Sequence, residues 1–207
     1  MSRTPSVSRR RIRKLVSFIE AIDSFRIGYV TNIDQLAIEY RRLELSGRTR
    51  KWKEIRRDLE EVAVKGLKVP EIRKLMNRDK KLDKYYKYSL IFLAISMVPF
   101  LMGIGGRLTF LIMLMALTAV NAVLIYRLYL HDKVVYLYYS NRHLFKDASA
   151  RLREDVNRLL LELKREARRA QIPLESIRLK LYNTDYEGIR VVKEPSRVRK
   201  YFLVSPA

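Results

Sequence analysis

Ile12, Leu15, Val16, Ile19 and Ile22 recur every three or four residues, which collects them on one side of a helix beginning near Ser8. "TNID", Thr31 to Asp34, has the form of a capping box with Asp in place of Glu. It predicts a second helix running to about Ser46, with Gly47 as its stop. Trp52, Ile55, Leu59 and Val62 share one side of a third helix that ends at Gly66. Pro70 suits a first helical position and no breaker follows before Tyr88, so a fourth helix runs on toward the middle of the chain.

From Tyr88 to Tyr126 the alternation of polar and apolar positions stops, and a single charge remains, Arg107. Leu108 to Tyr126 is uncharged and as a helix reaches about 28 Å, which matches the hydrocarbon thickness of a bilayer. Tyr88 to Met102 is shorter, and it reaches spanning length by drawing in Tyr85 and Tyr86 or the residues through Gly106. Pro99 adds a kink of the kind that membrane helices tolerate. Gly103, Gly105 and Gly106 supply the positive φ angles of a tight reversal, and Arg107 can extend its charge among the headgroups of the far surface. The expected fold is therefore mainly α: a two-pass transmembrane helical hairpin, with spans at about 86–104 and 108–128 and a turn at 103–107.

Beyond the second span the helical pattern continues through "VVYLYYSNRHLF". An amphipathic helix then starts near Asp147 and carries Leu152, Val156, Leu159, Leu160, Leu163, Ala167 and Ala170 along one face. Fewer than four heptads are present, so ordinary packing against the N-terminal helices is expected in preference to a coiled-coil seam. From Ser176 the period changes to that of short strands in "SIRLKLYN", "GIRVV" and "RKYFLV", a small β-hairpin or sheet that must rest on helices or on a partner. Four regions follow: a basic cytoplasmic helical region at 1–84, the hairpin at 85–130, cytoplasmic helices at 131–172 and a small C-terminal β element at 173–207.

Charge sets the expected orientation. The chain carries a formal net charge of +21. Before Tyr88 there are 24 Lys and Arg against 12 Asp and Glu, and from Arg127 onward 18 against 10. Cytoplasmic loops are enriched in Lys and Arg, so both termini are expected on the inner side of the cell membrane. Lys84, Tyr85, Tyr86, Lys87 and Tyr88 before the first span, with Tyr126, Arg127 and Tyr129 after the second, form the expected inner interface. Tyr136, Tyr138 and Tyr139 are assigned to the same headgroup level.

Little in the sequence suggests chemistry. No cysteine is present, which excludes disulfides and thiolate sites. No secretory signal is visible before the first amphipathic stretch. His131 and His143 lack a second ligand at metal-binding spacing, Glu60 and Glu61 read as partners of Arg56, Arg57 and Lys65, and no phosphate loop or nucleophile elbow occurs. No enzyme activity, metal or cofactor is expected. Asn121 is the one residue of the second span that a lipid-facing surface would disfavour. It is assigned an interhelical hydrogen bond, within the hairpin or across a dimer, contributing about 1 kcal/mol.

"YVTNIDQLAIEYRRL" followed by "EIRRDLEEVAVKGLKV" resembles the winged-helix DNA-binding pattern. The resemblance implies a small core of Leu36, Ala37, Ile55 and Leu59. It also implies a nucleic-acid contact through Arg56 and Arg57, and Arg48, Arg50 and Lys51 are candidates beside them. The chain departs from that pattern in the distance from Leu36 to Ile55 and in "PEIRK", which stands where a β-wing would come.

The function expected first is a non-enzymatic membrane anchor or scaffold. Its partners would be the lipid bilayer and, through the basic cytoplasmic regions, a protein complex or anionic headgroups, with self-association a further expectation. A membrane-tethered nucleic-acid binder, for DNA or for the ribosome, is the second reading. A component of membrane-protein insertion or transport is the third.

Overall fold

The computed structural model describes residues 5–28, 32–45, 47–104, 106–196 and 199–207, with the side chains of residues 5–8 left aside. The chain is mainly helical with one small three-stranded sheet. It divides into two units: a basic unit, residues 1–66 and 141–207, and a hairpin unit, residues 67–140.

In the basic unit, α1 (Pro5–Phe25) packs on α6 (Lys146–Arg169), the expected pairing of the amphipathic C-terminal helix with the N-terminal region. Helix α1 begins at Pro5, about a turn ahead of Ser8. Leu15, Phe18, Ile19 and Ile22 of α1 and Leu152, Val156, Leu159 and Leu163 of α6 are fully buried. Removing such side chains from water is worth roughly 2 kcal/mol each, and this supplies the unit's main driving force.

Helix α2 (Ile33–Arg42) is capped by Asn32, whose side-chain oxygen accepts from the amides of Asp34 and Gln35. Thr31 and Ser46 lie outside the described residues. The helix stops at Arg42, short of the expected end, and Glu44 takes a positive φ of 53° as the chain turns away. Helix α3 (Trp52–Lys68) passes through Gly66 and ends just beyond it. Leu36, Ala37, Ile55 and Leu59 are all buried. Only Val69 separates α3 from α4, and no strand among the described residues precedes β1, so the segment that would be a wing is helix instead.

Strands β1 (Leu179–Leu181), β2 (Ile189–Lys193) and β3 (Phe202–Pro206) form an antiparallel sheet in the order β1-β3-β2, with Val204 opposite both Leu179 and Val191. Leu179 and Leu181 are buried and β1 lies against α1. The outer edge of β1 is covered by two carboxylates one turn apart on α1. Glu20 accepts from the amide of Lys180 at 2.7 Å, and Asp23 accepts from the amide of Tyr182. Edge amides left open invite pairing with another chain, and these two are closed.

The hairpin unit is α4 (Pro70–Leu101) and α5 (Gly106–Ser140), packed along their lengths. Pro70 is in the first helical turn, where its fixed φ and missing amide are favourable. Arg127 meets Asp79 and Asp83 near one end, while the rings of Phe100 and Phe110 approach to 6.2 Å near the other, so the helices run antiparallel. Ser96 of α4 and Ala116 of α5 are buried small residues that let the two backbones come close.

Candidate functional site

Large apolar side chains cover the exterior of the hairpin. On α4, Ile91, Phe92, Ile95, Val98 and Leu101 are exposed, and on α5 Leu108, Leu111, Met115, Ile125 and Leu128 are as well. Among the described residues α5 is the one helix long and apolar enough to cross a membrane, and most of its apolar stretch is exposed. Helix α4 falls short because it ends at Leu101, which leaves its uncharged stretch from Tyr88 at about 21 Å.

Gly103 and Gly106 take φ of 70° and 51°, the left-handed values the reversal requires. A Cβ at either would meet no neighbour within 4 Å. Gly105 lies outside the described residues. Arg107 is exposed in the first turn of α5.

At the other end of the apolar segment a collar of charge is tied across the two helices. Arg127 donates to Asp79 at 3.1 Å and to Asp83 at 3.4 Å, and Lys87 reaches Asp83 at 3.0 Å. The hydrogen bond and charge of Lys87, with Arg127 behind it, hold the Asp83 carboxyl below the ordinary aspartate value. Neither aspartate stands out in the sequence beside so many basic residues. The signal that marks them is their spacing, one turn apart on α4 ahead of the uncharged tract.

Tyr85, Tyr88, Tyr126 and Tyr129 are exposed around this collar, Lys84 is exposed and Tyr86 is half-buried; the rings of Tyr126 and Tyr129 stack at 6.2 Å. Tyr136, Tyr138 and Tyr139 do not fit the same level. Helix α5 is continuous from Tyr126 to Tyr139, which puts Tyr139 about 20 Å further along the axis. Tyr138 is also fully buried, and burial pushes its hydroxyl up to about 12.

Asn121 faces outward from α5 and makes no hydrogen bond among the described residues. The Ser and Thr hydroxyls of the apolar stretch are satisfied locally. Ser89, Ser96, Thr109 and Thr118 donate to the carbonyls of Tyr86, Leu93, Gly106 and Leu114 of their own helices. A bond from Asn121 within the hairpin is therefore not the arrangement found, because the packing of α4 leaves it on another side of α5.

In the basic unit the candidate arginines divide. Arg50 donates through Nε to Asp155 at 2.8 Å and through Nη2 to Asp58 at 2.7 Å and again to Asp155. Asp58 and Asp155 are fully buried. Arg151 adds Nε to Asp58 at 2.9 Å and Nη2 to Glu61 at 2.8 Å. Arg48 pairs with Glu162 and, at 3.5 Å, with Glu166, which also receives Arg11 at 3.3 Å. Burial raises the pKa of Asp155, and the hydrogen bonds and charge of Arg50 offset only part of that. Arg56 pairs with Glu60 one turn on, at 2.7 Å, and Lys65 with Glu61 at 2.6 Å. Lys51, Lys53 and Arg57 are exposed at and after the start of α3.

A second buried cluster joins α1 to the chain after β1. Asp23 is fully buried and accepts from the Tyr186 hydroxyl and, at 2.8 Å, from the Asn183 amide. Arg26 grips Asp185 with two hydrogen bonds, at 2.8 and 2.6 Å, and stands 5.1 Å above the Tyr186 ring. Sequence pattern singles out none of these residues. An acid on an otherwise apolar stripe, as Asp155 is among Leu152, Val156 and Leu159, is the signal that such partners exist.

No protein-family model matches the chain, and no curated protein or solved structure matches it.

Proposed function

We propose that this chain is a non-enzymatic two-pass membrane anchor, with α4 and α5 in the bilayer and the basic unit on the inner side holding a macromolecular partner. The observation that carries it is the apolar exterior of α4 and α5 between the collar and the turn, exposed on helices whose shared seam is already filled. Water disfavours so large a contiguous apolar surface and lipid accepts it. The segment from Tyr85 to Ile104, which is α4 with part of the turn that follows it, approaches spanning length, with the Lys87 stem reaching back to the headgroups.

Sidedness has two supports. Residues from both ends of the chain build one unit, as α1 on α6 requires, and a folded unit cannot be divided by a bilayer. Lys84, Lys87 and Arg127 stand at the collar, whereas Arg107 is alone at the turn, which favours the collar side for the cytoplasm.

Nucleic acid is the second reading for the partner. It is favoured by Lys51, Lys53 and Arg57, exposed at the start of α3 while Arg48 and Arg50 are held in ion pairs.

Because the chain has no cysteine, single-cysteine variants report topology cleanly. Expected results are retention of the full chain in membranes after an alkaline wash, labelling of Ile104→Cys by an impermeant maleimide on intact cells, and labelling of Leu161→Cys only after permeabilisation. Release by the wash, or labelling of Leu161→Cys from outside, would overturn the proposal.

A further inference from the structure

Helix α5 carries two seams. Thr109, Met113, Ala116, Val120, Val123, Arg127 and Leu130 alternate at steps of three and four and are the buried or half-buried positions between 109 and 130, the side turned to α4. Advance each step by one residue, about 100° around the helix, and a second series appears: Phe110, Leu114, Leu117, Asn121, Leu124 and Leu128. Every member of that series is exposed. It is a strict heptad seam of five apolar side chains and one carboxamide, and among the described residues it stands open to the surroundings.

Resting on the membrane reading above, we propose that a second copy of this chain covers this seam, α5 against α5 in parallel about a two-fold axis along the membrane normal. Leucine in lipid gives no preference for a partner over acyl chains, so the apolar members alone would name no occupant. Asn121 does. Among the described residues its amide has no partner at mid-helix, whereas the hydroxyls of Thr109 and Thr118 on the same helix are closed on its backbone. In hydrocarbon an open amide is costly, and water is not there to satisfy it. A carboxamide is both donor and acceptor, so it complements an identical group across a two-fold axis, where position 121 of one helix meets position 121 of the other. A single Asn at this kind of seam position fixes register and favours a defined oligomer, and Leu114 and Leu128, one heptad to either side, then meet their own counterparts. Parallel α5 helices also keep both basic units on one side of the bilayer, as two copies inserted the same way must be.

The test uses the full chain in isolated membranes, with single cysteines at Leu114, Leu117, Leu124 and Leu128 along the seam and at Met115, which is 71% exposed on another side of α5. Oxidation with copper phenanthroline should give self-crosslinked dimers at the four seam positions and little at Met115→Cys. Added to Leu117→Cys, Asn121→Leu should lower the dimer fraction by an amount matching about fivefold weaker association, and Asn121→Gln should recover most of it. Chain that withstands the alkaline wash but fails to crosslink, crosslinks without this periodicity, or crosslinks only to other proteins would overturn the dimer and leave the membrane anchor standing. Chain released by the wash would overturn both.

Discussion

Arg50 and Asp155, 105 positions apart on either side of the hairpin, meet in a two-point ion pair inside the basic unit. Asp155 is fully buried and the Arg50 side chain is only 15% exposed. Losing one partner of such a pair strands the other charge in a poor solvent. Arg50→Ala leaves both Asp58 and Asp155 without it and should destabilise the basic unit by about 3 kcal/mol. Thermal unfolding in detergent is the measurement. Arg56→Ala, whose pair with Glu60 is half exposed on both sides, should change the transition very little.

Acid has opposite effects on two aspartates of the second cluster. Burial raises Asp23 above its ordinary value of 3.8, and hydrogen bonds from Tyr186, Asn183 and the Tyr182 amide bring it only part of the way back. Folding thus favours protonated Asp23, so its contribution is complete below the ordinary value and is lost as pH rises through the raised one. For Asp185 burial acts upward too, but the hydrogen bonds and charge of Arg26 outweigh it and hold the carboxyl below 3.8. Its contribution is present above that value and is lost as pH falls through the lowered one. Denaturant unfolding across the acid range should show Asp23→Asn removing a limb that climbs as pH falls toward about 4, and Asp185→Asn removing one that drops below it.

At the hairpin turn, backbone conformation matters and space does not. Gly103 holds φ at 70° with nothing within 4 Å of a Cβ. Gly103→Ala should cost about 1 kcal/mol from the left-handed conformation alone, and Gly103→Asn distinctly less. Unfolding of the detergent-solubilised chain by sodium dodecyl sulfate would rank the three.

If nucleic acid is the partner, its grip is through Lys51, Lys53 and Arg57. Replacing all three with Glu should reduce affinity for duplex DNA or ribosomal RNA and flatten the plot of log affinity against log salt by about three, one for each phosphate contact removed. An unchanged slope would dismiss this face as the contact.

Much of the fold was legible in the residues because periodicity reports local structure. Pro70 marks a helix start, the apolar stripe from Leu152 to Ala167 marks a face that packs on α1, and "SIRLKLYN", "GIRVV" and "RKYFLV" each hold a strand. Helix ends were less legible. The turn at Glu44 uses a non-glycine residue in the left-handed region, which no turn signature announces. Least legible were the long-range pairs. Arg48 and Arg50 have the look of solvent-facing cations, since a string of letters does not say that Asp58, Asp155 and Glu162 close around them. Asn121 is anomalous on sight, but which side of α5 it occupies depends on where α4 packs, and that is settled only in three dimensions.

Because α1 packs chiefly on α6 and β1, both encoded after the hairpin, biosynthesis imposes a delay. The segment up to Gly66 leaves the ribosome before any of its counterparts after Ser140 exist. At ordinary elongation rates, on the order of several seconds pass while the intervening helices are made. Over that interval the apolar stripe of the nascent N-terminal segment has no α6 to pack on. Maturation is complete only once the tail has been translated.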